Sequence, residues 1–197
     1  MKAFVFEELF SIFVLMNLRT AKKHYTLGCC GIDCGLCPRY YTEGESRCPG
    51  CFGKDFAKKH PPCSFATCCV KKHNLEVCGQ CKEFPCKKYD NEKIEKDSFV
   101  THKKMIANLK NVQKNGIDKY IEEQNVRIKI LEKMLQEYND GKSKSYFCTA
   151  ATLLDIKCLN KSLAEAENKM RKENISDGDL KNKAKILKSI LSEYANE

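Results

Sequence analysis

Fourteen of the 197 residues are cysteine, and twelve of them fall between Cys29 and Cys86. No other feature restricts the fold as strongly. A stretch of about 60 residues is near the size at which an apolar core alone becomes marginal and needs staples. Thiols can supply those as disulfides or as metal ligands. Three C-x2-C pairs stand out: Cys34/Cys37, Cys48/Cys51 and Cys78/Cys81. Each is short enough to bring two thiolates to one ion from a tight turn. "CPGC" and "CGQC" also put Pro and Gly where such turns favour them. Repeated knuckles with further thiols at short spacing point to metal rather than to disulfides. The expected ligands are Cys30, Cys34, Cys37, Cys48, Cys51, Cys63, Cys68, Cys69, Cys78, Cys81 and Cys86. Zinc in structural sites is the expected ion. The alternative is a [4Fe-4S] or other iron–sulfur cluster, which also takes four thiolates and is often flanked by Cys–Pro, as at Cys37–Pro38 and Cys48–Pro49. His60 and His73 lie close enough in sequence to replace a thiolate, although a surface role in a Lys-rich segment is the simpler reading.

The stretch "CCGIDCGLC", Cys29 to Cys37, tests whether the metal implies catalysis. From Cys30 it reads C-x3-C-x2-C, the spacing of radical S-adenosylmethionine enzymes. Those build a partial α/β barrel around the cluster, and the sequence after Cys37 continues into more cysteines instead of alternating strands and helices. A motif without its structural context carries little. From Cys29 the stretch reads C-x4-C-x2-C, a ferredoxin-like spacing. A thiol oxidoreductase would place its C-x2-C at the start of a helix beside a βαβ unit, and no such pattern is present. "GKS" at Gly141–Ser143 is not a phosphate loop, since the Gly required five residues earlier is Gln136. Neither a Ser/His/Asp order nor His-Glu-x-x-His occurs. No catalytic residue is assigned, and a binding protein is expected in preference to an enzyme.

The formal net charge of +9 invites a nucleic-acid partner. Metal-bound cysteines are thiolates, however. Three four-thiolate zinc sites at −2 each would leave the chain at about +3. The basic balance is thus partly an offset to the thiolates. The expected partner is an unidentified protein, with nucleic acid only weakly supported. Residues 1–27 are expected to be a tail or short helix. Their apolar run, Leu9 to Leu18, has Glu7 and Glu8 before it and Arg19, Lys22 and Lys23 after it, the reverse of a signal peptide, and it is short for a membrane span. Met16 is an alternative start. A cytoplasmic location without a membrane anchor follows as the expectation, and it favours metal over disulfide.

The texture changes after Cys86. Residues 28–96 read as the Cys-rich metal-binding module and 97–197 as a helical bundle. Phe99, Met105, Ile106, Leu109 and Val112 share a face, and Asn115–Gly116 supplies a stop. Ile117, Tyr120, Ile121, Ile128, Leu131, Leu135 and Tyr138 form a second helix, with Gly141 expected at its C′ position. "SYFCTAATLL" is short, apolar and expected to be buried. It contains Cys148, which reads as a small hydrophobe, as does Cys158. Asp155 is expected to cap a helix carrying Leu159, Leu163, Ala166 and Met170. Ser176 is expected to cap one carrying Leu180, Ala184, Leu187, Leu191 and Tyr194. The fold class expected is a small, irregular, metal-stapled Cys-rich module of knuckles and short helices, followed by an all-α bundle.

The segments "CGIDCGLCPRYY", "CPGC", "CSFATCCVKKHNLEVCGQCKEFPC" and the helical "NGIDKYIEEQNVRIKILEKMLQEYNDGKSKSYFCTAATLL" carry a family likeness. Across roughly residues 28–155 the chain resembles a cysteine-rich bacterial and archaeal domain family of unknown function. Its pattern runs C-G-x-x-C-x-x-C, C-x-G-C, C-x4-C(C) and C-x-x-C-x-x-F-P-C. That resemblance implies metal ligation by Cys30 to Cys86 and no activity. Cys29 falls outside the pattern and is expected to be the spare thiol.

Overall fold

The computed structural model describes residues 22–60, 62–89 and 102–195; the expectations for Met16 and Phe99 fall outside these residues. Seven α-helices and no strand occur among the described residues. The Cys-rich half holds only single-turn helices, α1 (Phe56–Lys59) and α2 (Ser64–Ala66), linked by turns and one isolated bridge between Leu27 and Asp33. The second half contains α3 (Met105–Asn115), α4 (Ile117–Tyr138), α5 (Lys144–Leu153), α6 (Ile156–Lys172) and α7 (Leu180–Ala195). No helix among the described residues is long and apolar enough to cross a membrane.

The helix ends follow local chemistry. Helix α3 stops at Gly116, as the Asn–Gly pair predicts. Helix α4 ends at Tyr138 with Asn139 as its cap, so Gly141 lies one position beyond the expected C′. The turn leads into the next helix: Asp140 Oδ1 accepts the backbone N–H groups of Lys142 and Ser143 at 3.0 and 2.9 Å, just ahead of α5. Asp155 occupies the N-cap of α6 as expected. Helix α6 closes with a Schellman motif. Asn174 is left-handed, its N–H reaches the Arg171 carbonyl, and the Ile175 N–H reaches the Met170 carbonyl at 3.0 Å. Ser176 does not cap α7. It sits in the preceding turn, and Asp179 accepts the Asn182 N–H at 3.1 Å instead.

Three apolar clusters organise the molecule. The bundle core joins Leu131, Met134, Tyr138, Phe147, Leu159, Leu187 and Leu191; Leu36 of the Cys-rich half is inserted into it and Tyr41 packs against it. The second cluster is shared between the halves: Leu27, Val77 and Tyr89 pack on Met105, Leu109 and Val112 of α3 and Tyr120 and Ile121 of α4. The third belongs to the Cys-rich half alone and consists of Cys29, Cys51, Ala66, Cys69 and Val70. This half therefore owns almost no hydrocarbon core. It leans on the helices from one side and encloses sulfur on the other.

The seam between the halves is close and polar. Gly31, at φ +96°, lies where a Cβ would stand 2.3 Å from the Met105 carbonyl oxygen, and a Cβ on Gly79 would stand 2.8 Å from that of Leu109. Only glycine allows α3 this near. Beside it the buried Asp33 carboxylate accepts three hydrogen bonds, from Asn108 Nδ2 (2.8 Å), the Tyr120 hydroxyl (2.6 Å) and Gln124 Nε2 (2.7 Å). Gln124 also pairs with Thr26 through both ends of its amide. Burial first, and then Asp33, raise the Tyr120 hydroxyl above its ordinary pKa, so it remains a donor. The residue between Ile32 and Cys34 is thus fixed by two helices more than 70 positions away.

Candidate metal centre

Two of the three knuckles adopt a common turn. Residues Cys34–Leu36 and Cys78–Gln80 form single 3-10 turns, in which the N–H of Cys37 donates to the Cys34 carbonyl (3.2 Å) and that of Cys81 to the Cys78 carbonyl (3.0 Å). The Gln80 side chain reinforces the second turn by accepting the N–H groups of Glu76 and Val77. The third pair differs: the Cys51 N–H donates to the Tyr25 carbonyl at 2.8 Å. Helix α2 runs on into a π-helical turn over Thr67–Lys72, a rare geometry that clusters at functional sites. Because successive helical residues point in different directions, Cys69 faces inward and is buried, whereas Cys68 is half-exposed.

All fourteen cysteines are described, and all are free thiols. Nine of the twelve in the Cys-rich half sort into two adjoining groups. The inner group is Cys29, Cys51 and Cys69, buried together with Cys78 packed against them; the Cys69 thiol donates to the Leu75 carbonyl at 3.4 Å and the Tyr89 hydroxyl to the Cys30 carbonyl at 3.2 Å. The backbone closes around it: the Cys29 N–H approaches Cys51 Sγ at 3.4 Å, and the Cys78 N–H donates to the Cys29 carbonyl at 2.8 Å. The outer group lines a cavity of about 230 Å³, where Cys30, Cys34, Cys37, Cys48 and Cys63 face one another. Cys29 and Cys51 form its inner wall. His60, stacked on Phe56 at 4.7 Å between ring centroids, and His102 complete the rim.

The expected ligands are therefore distributed unevenly. Cys30, Cys34, Cys37, Cys48, Cys51 and Cys63 meet at the cavity, and Cys51, Cys69 and Cys78 meet in the inner group. Cys68, Cys81 and Cys86 belong to neither group. Cys29, expected to be the spare, stands at the centre of the inner group with Cys51 and Cys69 as neighbours. Its sequence signal was the doublet Cys29–Cys30, which forms the centre of a turn closed by the Gly31 N–H on the Gly28 carbonyl at 2.9 Å. His73 is exposed on the far side of the π-turn. Among the described residues, no three His, Cys, Asp or Glu side chains are gathered around one point as a bound metal would hold them.

Electrostatics sets the chemistry of these thiols. Burial pushes Cys30 up to about 12, and burial together with neighbouring cysteines puts Cys34 well above its ordinary pKa. Burial likewise raises Cys37. In the inner group the hydrogen bonds among the thiols dominate: the bond with Cys51 lowers Cys29 and the bond with Cys69 raises it, and with burial the net shift is upward. Cys51 is raised by its bond to Cys29 and by burial. Cys69 is lowered by Cys29, raised by Cys78 and burial, and raised overall. Without a cation these sulfurs hold their protons. A divalent ion inverts that balance, because a coordinating thiol is deprotonated outright. Two further groups are buried nearby. Lys22 is 3 % exposed and its Nζ has no hydrogen-bond partner among the described residues. Glu76 accepts the N–H groups of Lys23 (2.8 Å) and His24 (2.7 Å) and the His24 ring at 2.9 Å. Burial alone would raise Glu76, but these hydrogen bonds hold its carboxyl below the ordinary range.

Every residue of both thiol groups lies in one continuous stretch of the chain. Residues 26–91 match a family described as "Protein of unknown function (DUF3795)". The DUF3795 match contains all twelve clustered cysteines, Asp33 and Glu76. It ends before α3, so the helical continuation to residue 155 lies outside the matched span. Lys22 precedes it. No curated protein and no solved structure matches the chain.

Proposed function

We propose that residues 22–89 form a metal-binding module in which thiolates hold zinc as a structural ion. The observation that carries this reading is the third cluster. Where a domain half of this size would place hydrocarbon, the chain places Cys29, Cys51 and Cys69, surrounded by Cys34, Cys63 and Cys78. Thiols are poor substitutes for Leu or Ile as core fillers. As ligands they convert ion binding into folding energy, which reaches about 10–16 kcal/mol for zinc in small peptides. The two 3-10 turns at Cys34–Leu36 and Cys78–Gln80 support this reading, since C-x2-C is a common spacing of zinc ligands. On this reading metal fixes the side of the module that the helices do not support.

One observation favours an iron–sulfur cluster as the second reading. A cavity of about 230 Å³ ringed by seven cysteines is larger than a single ion needs. A four-iron cluster would use four of these thiolates.

The test is removal of metal from the full-length protein. With chelator, the circular dichroism of helices α3–α7 should persist in large part, while protection of residues 22–89 against proteolysis is lost. A cleavage pattern and melting curve unchanged by chelator would overturn the structural role.

A further inference from the structure

We infer that the cavity between α3, α4 and the end of α5 is a binding site for a small zwitterion, a free α-amino acid with a short side chain. It contains no thiol, so it stands or falls independently of the metal reading. Its volume is about 200 Å³, which limits the occupant to a small molecule. Two facing helices supply most of its wall. Lys104, Asn108 and Asn111 lie about one turn apart along α3, and Tyr120, Gln124 and Arg127 about one turn apart along α4. Polar stripes at that spacing usually face water. Here Asn108 and Gln124 are buried, and so is Asp33, which closes the cavity from the Cys-rich half. An apolar void can stay empty, whereas one walled by buried polar groups calls for a polar occupant.

The charges define that occupant. Lys104 Nζ donates to the Thr152 carbonyl at 3.1 Å, and Arg127 donates to the Ala151 and Leu154 carbonyls at 3.0 and 2.6 Å. These bonds cap the last carbonyls of α5 and fix two cations at that end of the cavity. Capping uses one N–H of the Lys104 ammonium and leaves two for a ligand. Burial first, and then Arg127, hold this ammonium below its ordinary pKa, a penalty that a carboxylate beside the pair removes. Two carboxylates line the same cavity. Asp33 Oδ2 accepts one hydrogen bond among the described residues, from Asn108, although a carboxylate oxygen takes two. Glu123 meets Arg127 through Oε1 alone, at 3.4 Å. A net anion would face Asp33 and Glu123, and a net cation would face Lys104 and Arg127. A molecule with one charge of each sign meets a complementary partner at both ends. A carboxylate and an ammonium on one carbon are the most compact form of that pair.

Titration calorimetry and thermal unfolding of the as-purified full-length protein test this. The probes are glycine, L-alanine and L-serine, with acetate, propionate, methylamine and ethylamine as single-charge controls. At least one amino acid should bind one-to-one and raise Tm, and the controls should do neither at the same concentration. Lys104→Met should weaken that binding about tenfold or more, the loss expected for a hydrogen bond to a charged group. Asn111→Leu should abolish it by filling the cavity. The Asn111 side chain accepts a hydrogen bond only from the exposed Asn115 among the described residues, so this variant should still fold. Lys110→Met, at an exposed position of α3, should bind as the wild type does. Three results overturn the inference: no binding by any of the three amino acids, which leaves water alone in the cavity; equal binding by a single-charge control; or binding unchanged in Lys104→Met or Asn111→Leu. An equal loss in Lys110→Met also overturns it, because the effect would then be one of surface charge.

Discussion

Replacing Asp33 with Ala should be among the most damaging single changes outside the cysteines. The carboxylate satisfies three buried donors, but they are not equally dependent on it. Asn108 Nδ2 also reaches the Gly31 carbonyl at 2.9 Å, and Gln124 Nε2 reaches the Thr26 carbonyl at 3.1 Å. The Tyr120 hydroxyl, 7 % exposed as a residue, has only Asp33. An orphaned buried donor costs about 1–3 kcal/mol and a lost but replaceable bond about 1 kcal/mol, so Asp33→Ala should lose about 3–5 kcal/mol. For a unit of this size that is a fall of about 6–20 °C in Tm. Urea unfolding of the as-purified protein, followed by helical circular dichroism, measures it. The mechanism makes a second demand. Tyr120→Phe, mildly destabilising alone, should recover about 1–3 kcal/mol in the Asp33→Ala background, because it removes the orphan. A loss below about 1 kcal/mol, or no recovery in the double variant, would refute the reasoning that this network clamps the Cys-rich half to α3 and α4.

Leu36→Ala should cost about 2–5 kcal/mol in the same assay, since it empties a fully buried position in the bundle core. Gly31→Ala should destabilise by several times more than Gly178→Ala, because a methyl at Gly31 meets the Met105 carbonyl at 2.3 Å whereas Gly178 faces open space; equal melting temperatures would contradict the close seam. Burial pushes the Cys148 thiol up to about 12 from 9.0. The unfolded chain therefore loses this proton first as pH rises, so the Cys148 contribution is complete below pH 9 and is lost toward pH 12. Cys148→Ala should flatten that part of the stability–pH curve, and an unchanged slope would show that Cys148 is not the protonated core residue described.

The helical half was legible because its signals are local. The period of Leu159, Leu163 and Ala166 or of Ala184, Leu187 and Leu191 states which face is buried, and Asn115–Gly116 and Asp155 mark ends that the structure keeps. Ser176 misled because two turn formers, Ser176 and Asp179, compete within four residues, and the one adjacent to the apolar face prevailed. The Cys-rich half was legible in content but not in arrangement. Spacing suggested that Cys48 and Cys51, or Cys78 and Cys81, act as pairs. The structure keeps Cys48 and Cys51 at one cavity and ties Cys51 to Tyr25 and Cys78 to Cys29 by long-range backbone hydrogen bonds that no spacing encodes. Asp33, hidden inside a cysteine motif, owes its role to partners 75 to 91 residues away in the chain.

The central claim is that thiolates of residues 22–89 hold metal, and metal content measures it most directly. Full-length protein purified without oxygen or chelator should carry stoichiometric zinc by elemental analysis and be colourless. Iron with acid-labile sulfide and a brown colour would replace zinc with the cluster reading. Protein that is folded, fully reduced and free of both metals would contradict the account.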